Sequence, residues 1–175
     1  MKKYLLILLL FLCIQTNAQT SVCGIPFGTS YERTEQMLNN KFGPSVYNSH
    51  ESIIYQSILY AGFEWDFLWF GFQRNNSGNS YFSGAIFSKN FNSYKDATNY
   101  YSKVKSAFAK SYDIITDEYT GEGENAIYCY AARSADIDYK TSVGLYVKRK
   151  PSEYHIYTYT VEVIYCGPDY VTESL

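Results

Sequence analysis

"VCGIPFGTSYERTEQMLNNKFGP", residues 22–44, decides the fold, because it holds both the start and the stop of a short helix. Thr29-Ser30-Tyr31-Glu32 has the form of a capping box, in which Thr29 accepts from a backbone N–H and Glu32 reaches back. Thr34, Leu38 and Phe42 recur every four residues with Met37 beside them, one narrow apolar stripe. Gly43 can take the left-handed conformation that ends a helix, and Pro44 forbids continuation. The spacing predicts a helix over residues 30–42. Its single stripe needs a sheet to lie on.

The sheet follows directly. Residues 52–60, "SIIYQSILY", are β-branched and aromatic, Gly62 breaks them, and "FEWDFLWFGF" resumes at residue 63. Strict alternation puts Phe63, Trp65, Phe67 and Trp69 on one face, expected to be core, with Glu64 and Asp66 on the other. "RNNSGN" at residues 74–79 is a turn signal, and a third strand is expected over 80–88.

The pattern then recurs. "FNSYKDATNYYSKVKSAFAKSY", residues 91–112, begins with Ser93 and Asp96 in capping-box positions. Ala97, Tyr101, Val104, Phe108 and Tyr112 share a helical face, so a second helix is expected over 93–112. A loop at 117–125 leads into strands at about 126–132, 140–149 and 154–165, with Pro151-Ser152 as the last turn. The fifth strand alternates Thr141, Val143, Leu145 and Val147 against Lys140, Ser142, Tyr146 and Lys148. The fold class is therefore α+β, tandem αβββ–αβββ, with both helices expected on one face of a shared antiparallel sheet. The two pseudo-repeats span about 24–90 and 91–166 of a single domain, residues 19–175, since no Pro-rich linker separates them.

The first 18 residues read as a secretory signal peptide. Lys2 and Lys3 give the positive start, Leu5 to Leu12 a short apolar core, and Thr16-Asn17-Ala18 a small-residue cleavage site. Phe11-Leu12 before Cys13 is unlike a lipoprotein signal, which wants small residues there. A bacterial periplasmic or secreted location is expected, with the cut after Ala18 and nothing transmembrane afterwards. The leader removes two of 15 Lys+Arg and none of 17 Asp+Glu, so the remaining chain is acidic and ill suited to nucleic acid. Its 20 Tyr, 11 Phe and two Trp, 19% aromatic in all, favour strands and leave Tyr over for an exposed face.

Cys23, Cys129 and Cys166 remain after cleavage, and three pairings are possible in an oxidising compartment. The expected bridge joins Cys23 to Cys166, each beside a glycine near a chain end. Cys129 sits inside a strand and stays reduced. No CxxC spacing marks a zinc or thioredoxin-like site.

Phe27-Gly28-Thr29-Ser30, followed by Glu32, Leu38, Phe42 and Gly43, resembles the opening of small bacterial envelope modules. These include the β-lactamase-inhibitor-protein-like domains and the outer-membrane assembly lipoproteins of the small-protein-A type. The resemblance covers the first helix and, loosely, the strand order. It implies short helices packed on an antiparallel sheet, a module repeated in tandem, and binding rather than catalysis. It transfers no residue roles.

Motifs for chemistry are sparse. GxSxG, HExxH, P-loop and GxGxxG patterns do not occur. His50 reads as a solvated loop residue. His155 with Cys129 would be the one Cys–His pair, but Cys129 has no activating context in the sequence. Glu64 and Asp66 on one strand face are a conceivable carboxylate pair, more simply read as solvated sheet. Asp117, Glu118, Glu122 and Glu124 offer oxygens to calcium without the spacing of an EF-hand. No cofactor is implied. The function expected is a non-enzymatic binding module that engages a protein or glycan through the sheet face. Its candidate residues are Asp66, Tyr128, Tyr130, Tyr146, Thr158 and Glu162. An envelope assembly accessory and a small hydrolase are the rival readings.

Overall fold

The computed structural model describes residues 21–108, 113–118, 126–133, 142–151 and 157–167, with side chains described over 21–107 and 158–167. The fold is α+β. A small hairpin of β1 (Ser21–Val22) and β2 (Ile25–Pro26) precedes α1 (Tyr31–Phe42). Then come β3 (Tyr47–Ser49), β4 (Ser52–Tyr60), β5 (Phe63–Arg74) and β6 (Ser80–Phe91). After α2 (Tyr94–Phe108) follow β7 (Asp113–Glu118), β8 (Ala126–Arg133), β9 (Ser142–Pro151) and β10 (Tyr157–Cys166).

Both helices start, and α1 stops, much as their sequences direct. Ser30, one residue beyond the expected Thr29, is the N-cap of α1 and accepts from Arg33 N–H at 3.4 Å. The Thr29 hydroxyl instead donates to the Pro26 carbonyl. Gly43 closes the helix at φ 79°, and its N–H donates to the Asn39 carbonyl. In α2, Asp96 N–H donates to Ser93 Oγ at 3.2 Å, the cap read at that position. The end expected for α2, residues 109–112, lies outside the described residues.

Eight strands form one antiparallel sheet in the order β3-β4-β5-β6-β10-β9-β8-β7. Each group of four is a meander, and the two meet where their last strands pair, Val163 opposite Phe87. The sheet thus holds two strands, β3 and β7, beyond the six expected. Part of the acidic loop is strand: Asp117 and Glu118 of β7 pair with Tyr130 and Cys129. Residues 119–125, and with them Glu122 and Glu124, lie outside the described residues, as does His155.

The core follows the register. One row aligns Ile53, Phe70, Ala85 and Tyr165, and the next aligns Tyr55, Leu68, Phe87 and Val163; all are buried. Thr34 and Leu38 of α1 and Ala97, Tyr101 and Val104 of α2 are buried too. Phe42 of α1 packs on Tyr55 with ring centroids 5.5 Å apart, and Tyr100 of α2 meets Trp65 edge to face at 5.6 Å.

Strict alternation along β5 does not hold. Trp65 is in the core at 4% exposure, but so are Leu68 and Phe70, while Phe67 is 37% exposed and Trp69 only partly buried. The phase reverses at Asp66. Opposite it, Ser57 of β4 adopts φ 54°, a left-handed conformation, and the buried alternation of β4 slips from Ile53 and Tyr55 to Ile58 and Tyr60. The Asp66 carboxylate occupies the place where β5 leaves β6, accepting from Lys89 Nζ at 2.7 Å and from Asn90 N–H at 2.8 Å. One irregular position on each strand turns the pleat over without breaking the ladder.

The expected Cys23–Cys166 bridge is absent, and both are free thiols. Cys23, in the β1–β2 turn, is buried in the core beside Tyr60 and Lys41. Cys166 follows the buried Tyr165 on β10 and leaves on the opposite alternation, exposed. A disulfide needs side chains that point toward each other, and here Cys23 is buried in the core while Cys166 is exposed on the outer alternation.

Candidate functional site

The face of the sheet opposite the core carries the candidate site. Its central row crosses Tyr47, Ile54, Trp69, Ile86 and Ile164 on five strands, and the register continues to Gly144 and Ala131. No residue in that row is charged. Ile54, Trp69, Ile86 and Ile164 are partly buried, whereas Tyr47 is 53% exposed. In the adjacent row Gln56, Phe67, Ser88 and Glu162 follow one another. Leu59, 71% exposed, extends the apolar area at the hairpin end of β4. Among the described residues, the large exposed hydrophobic side chains are Tyr47, Leu59 and Phe67 on β3, β4 and β5, Val46 just before β3, and Tyr94 at the start of α2.

Gly71 shapes this face. A Cβ built on it would fall 2.1 Å from the Trp69 ring, so the indole lies across bare glycine backbone. Just beyond, β6 carries one extra residue, since Phe72 pairs with Phe82 while Gly71 pairs with Gly84. Ser83 Oγ donates to the Gly71 carbonyl at 3.1 Å and ties the bulge in place. The flat indole and its glycine bed form an aromatic platform.

The residues expected from sequence do not all meet there. Asp66 serves the strand junction, its carboxylate engaged by Lys89 and Asn90. The register aligns Tyr128 with Val147 and Val161, and Tyr130 with Leu145 and Val163; both rows contain buried residues of β10. Tyr146 aligns with Glu162, and Thr158 stands on the same alternation of β10 as Glu162. Tyr146, Thr158 and Glu162 therefore belong to the outer alternation, and Tyr128 and Tyr130 to the core rows. Glu162 is itself buried, and so is Thr160, which donates to Asn90 Oδ1 at 2.8 Å.

Sequence reading passes over Tyr47, Ile54 and Leu59 and expects Trp69 in the core, whereas it stands on the outer face, partly buried. The signal was present in "SIIYQSILY", where apolar residues occupy both alternations of one strand. Such a strand is apolar toward both faces of its sheet.

Groups that would favour catalysis are differently placed. Cys23 has its thiol pKa pushed up to about 12 by burial, against the opposing pull of Lys41 and a Tyr60 hydrogen bond, so it is neutral and a poor nucleophile at ordinary pH. Burial also raises Tyr55 to about 12 and lifts Tyr100 further, as befits core phenols; Tyr100 donates its hydroxyl proton to the Glu64 carbonyl. His50 is exposed and lies against the Tyr31 ring at 4.9 Å. Among the described residues, no group of three His, Cys, Asp or Glu side chains is arranged to hold a metal ion. No family model, curated protein or solved structure matches this chain.

Proposed function

We propose that this chain is a secreted or periplasmic, non-enzymatic binding module whose outer sheet face takes the apolar surface of a protein partner. The observation that carries the reading is the uncharged row Tyr47–Ile54–Trp69–Ile86–Ile164, bordered by Phe67 and lying opposite the core. An uncharged row that crosses five strands suits a macromolecule, because a small ligand requires a concave site that encloses it. Aromatic side chains bring much contact area at little entropic cost, which is why interfaces are rich in them.

The proposal includes a tandem architecture of the β-lactamase-inhibitor-protein-like kind, with both helices on the core side. Its support is the mirrored strand order, in which each meander ends on the strand that joins the other, and a single buried cluster fed by both helices. Secretion rests on the Lys-Lys start, apolar run and Thr16-Asn17-Ala18 of the leader.

The test is affinity capture from the envelope and medium of the source bacterium. Binding of the purified prey is then measured against the parent chain and against Phe67→Asp and Tyr47→Asp. Both side chains are exposed, so folding should be kept while affinity falls at least about tenfold, the loss of one well-placed aromatic contact. Equal affinity for all three proteins would remove the face from consideration. A second reading is a glycan partner, favoured by the exposed Phe67 and Tyr47 rings on which a sugar would stack. Retention on polysaccharide beads, lost in Phe67→Leu, would select it.

A further inference from the structure

Between the first turn of α1, the β3–β4 turn and the β5–β6 hairpin lies a cleft of about 560 Å³. That size falls within the roughly 300–1,000 Å³ of small-molecule sites. The cleft opens at the end of the core layer. Arg74 and Ser80 pair across the ladder and continue the alternation of Phe72 and Phe82, so both stand on the core side of the sheet. Glu32 approaches from α1, and His50 from the β3–β4 turn with its ring against Tyr31.

Each wall is held by its own hydrogen bonds. Gly28 N–H donates to the Phe82 carbonyl and Phe82 N–H to the Thr29 carbonyl, both at 2.8 Å, which fixes the start of α1 on β6. Ser49 Oγ accepts from the Glu51 and Ser52 N–H groups and sets the turn that carries His50. Asn75 Oδ1 accepts from the Ser77 and Asn79 N–H groups and closes the hairpin beside Arg74. The polar groups inside these walls are unspent. The hydroxyl of Ser80, a residue only 9% exposed, has no hydrogen-bond partner among the described residues. Glu32 and Arg74 are exposed and join no ion pair; among the described residues that pairing belongs to Lys89 and Asp66.

We propose that this cleft binds a small zwitterion, a free amino acid or a short peptide, with its carboxylate on Arg74 and its ammonium on Glu32. An anion would meet the Glu32 carboxylate, and a cation would meet the Arg74 guanidinium. An uncharged ligand would shut both charges away from water without giving either a partner, which is costly. A molecule bearing both signs complements both walls. Guanidinium holds a carboxylate through two parallel N–H···O bonds, which fixes the ligand's direction in the cleft. The Ser80 hydroxyl, opposite Arg74 on the ladder, gains from the same carboxylate the partner it lacks. The site stands apart from the uncharged outer row and does not depend on what that row binds.

Isothermal titration calorimetry of the full chain with trialanine and with alanine tests this. Saturable binding of at least one is expected, and the tighter of the two separates a peptide from a free amino acid. Amidating the carboxylate or acetylating the amine of that probe should each weaken binding at least about tenfold, the scale of one lost charge-assisted contact. In Arg74→Gln the penalty for amidation should vanish while that for acetylation remains, and Glu32→Gln should show the reverse. Both side chains are exposed and unpaired, so these variants should melt at the parent's temperature. No saturable binding of either probe, equal affinity for capped and free forms, or a penalty that persists in its matching variant would overturn the proposal. So would loss of binding in Phe67→Asp, which would move the contact to the outer face. None of these results bears on capture of a protein by that face.

Discussion

Trp65 and Trp69 stand four residues apart on β5 and meet opposite surroundings. Trp65 is enclosed by Phe63, Phe87 and Tyr100, with its indole N–H directed to the Tyr60 carbonyl at 3.4 Å. Trp69 lies on the other face, flat over Gly71 and only partly buried. A perfect strand would have placed both on the same face, since four is an even number of residues. The two differ because of the Ser57–Asp66 junction between them. A single reversal of the pleat sends one tryptophan into the core and the other to the outer face.

The largest expected effect tests that division. Trp65→Ala should cost about 3–5 kcal/mol in a denaturant titration, as large aromatic truncations in cores do. Trp69→Ala should cost less, about 1–2 kcal/mol, because Trp69 is only partly buried. Equal costs would mean that the pleat does not reverse. Next comes Gly71→Ala, whose new methyl would collide with the Trp69 ring. A loss of about 1–3 kcal/mol is expected from overpacking. In a Trp69→Ala background most of that loss should vanish, and a fully additive double mutant would place the strain in the β5–β6 bulge instead. The smallest effect concerns the junction itself. Ser57→Gly relieves a left-handed conformation but loosens the unfolded chain, so a net gain of up to about 1 kcal/mol is expected. A loss would show that the serine side chain holds the reversal in place.

Much of the fold was legible because local signals and tertiary packing agree. The Gly43-Pro44 stop, the Thr34–Leu38 stripe and the Ala97–Tyr101–Val104 face all describe single helices, whose period does not depend on their neighbours. The strands were legible as strands, but their faces were not. In β5 both alternations are apolar, so period alone could not reveal the slip at Asp66, which depends on β4 across the ladder. The short strands were missed for a related reason. Tyr47–Ser49 is a strand only because Ile53 and Ile54 lie beside it, and nothing within three residues announces that. The candidate site depends on the same register. The rows of Tyr128 and Tyr130 are set by their partners Val147 and Leu145 across the ladder, beyond an irregularity between Ala126 and Tyr128 that counting along β8 does not reveal.

The joint between the meanders also orders events in time. Each meander forms from neighbours in sequence, a low-contact-order task that chains complete quickly. The β6–β10 seam instead unites residues as distant as Asn90 and Thr160, 70 positions apart. During synthesis β6 therefore emerges long before its partner. Its outer edge, the stretch Gly84–Phe91, must wait unpaired until β10 arrives. Unpaired strand edges and uncovered apolar surface are what make folding intermediates prone to aggregate. A chain cut short before Tyr157 would carry that vulnerability permanently, so the last strand acts as the closure of the edge that the first meander leaves open.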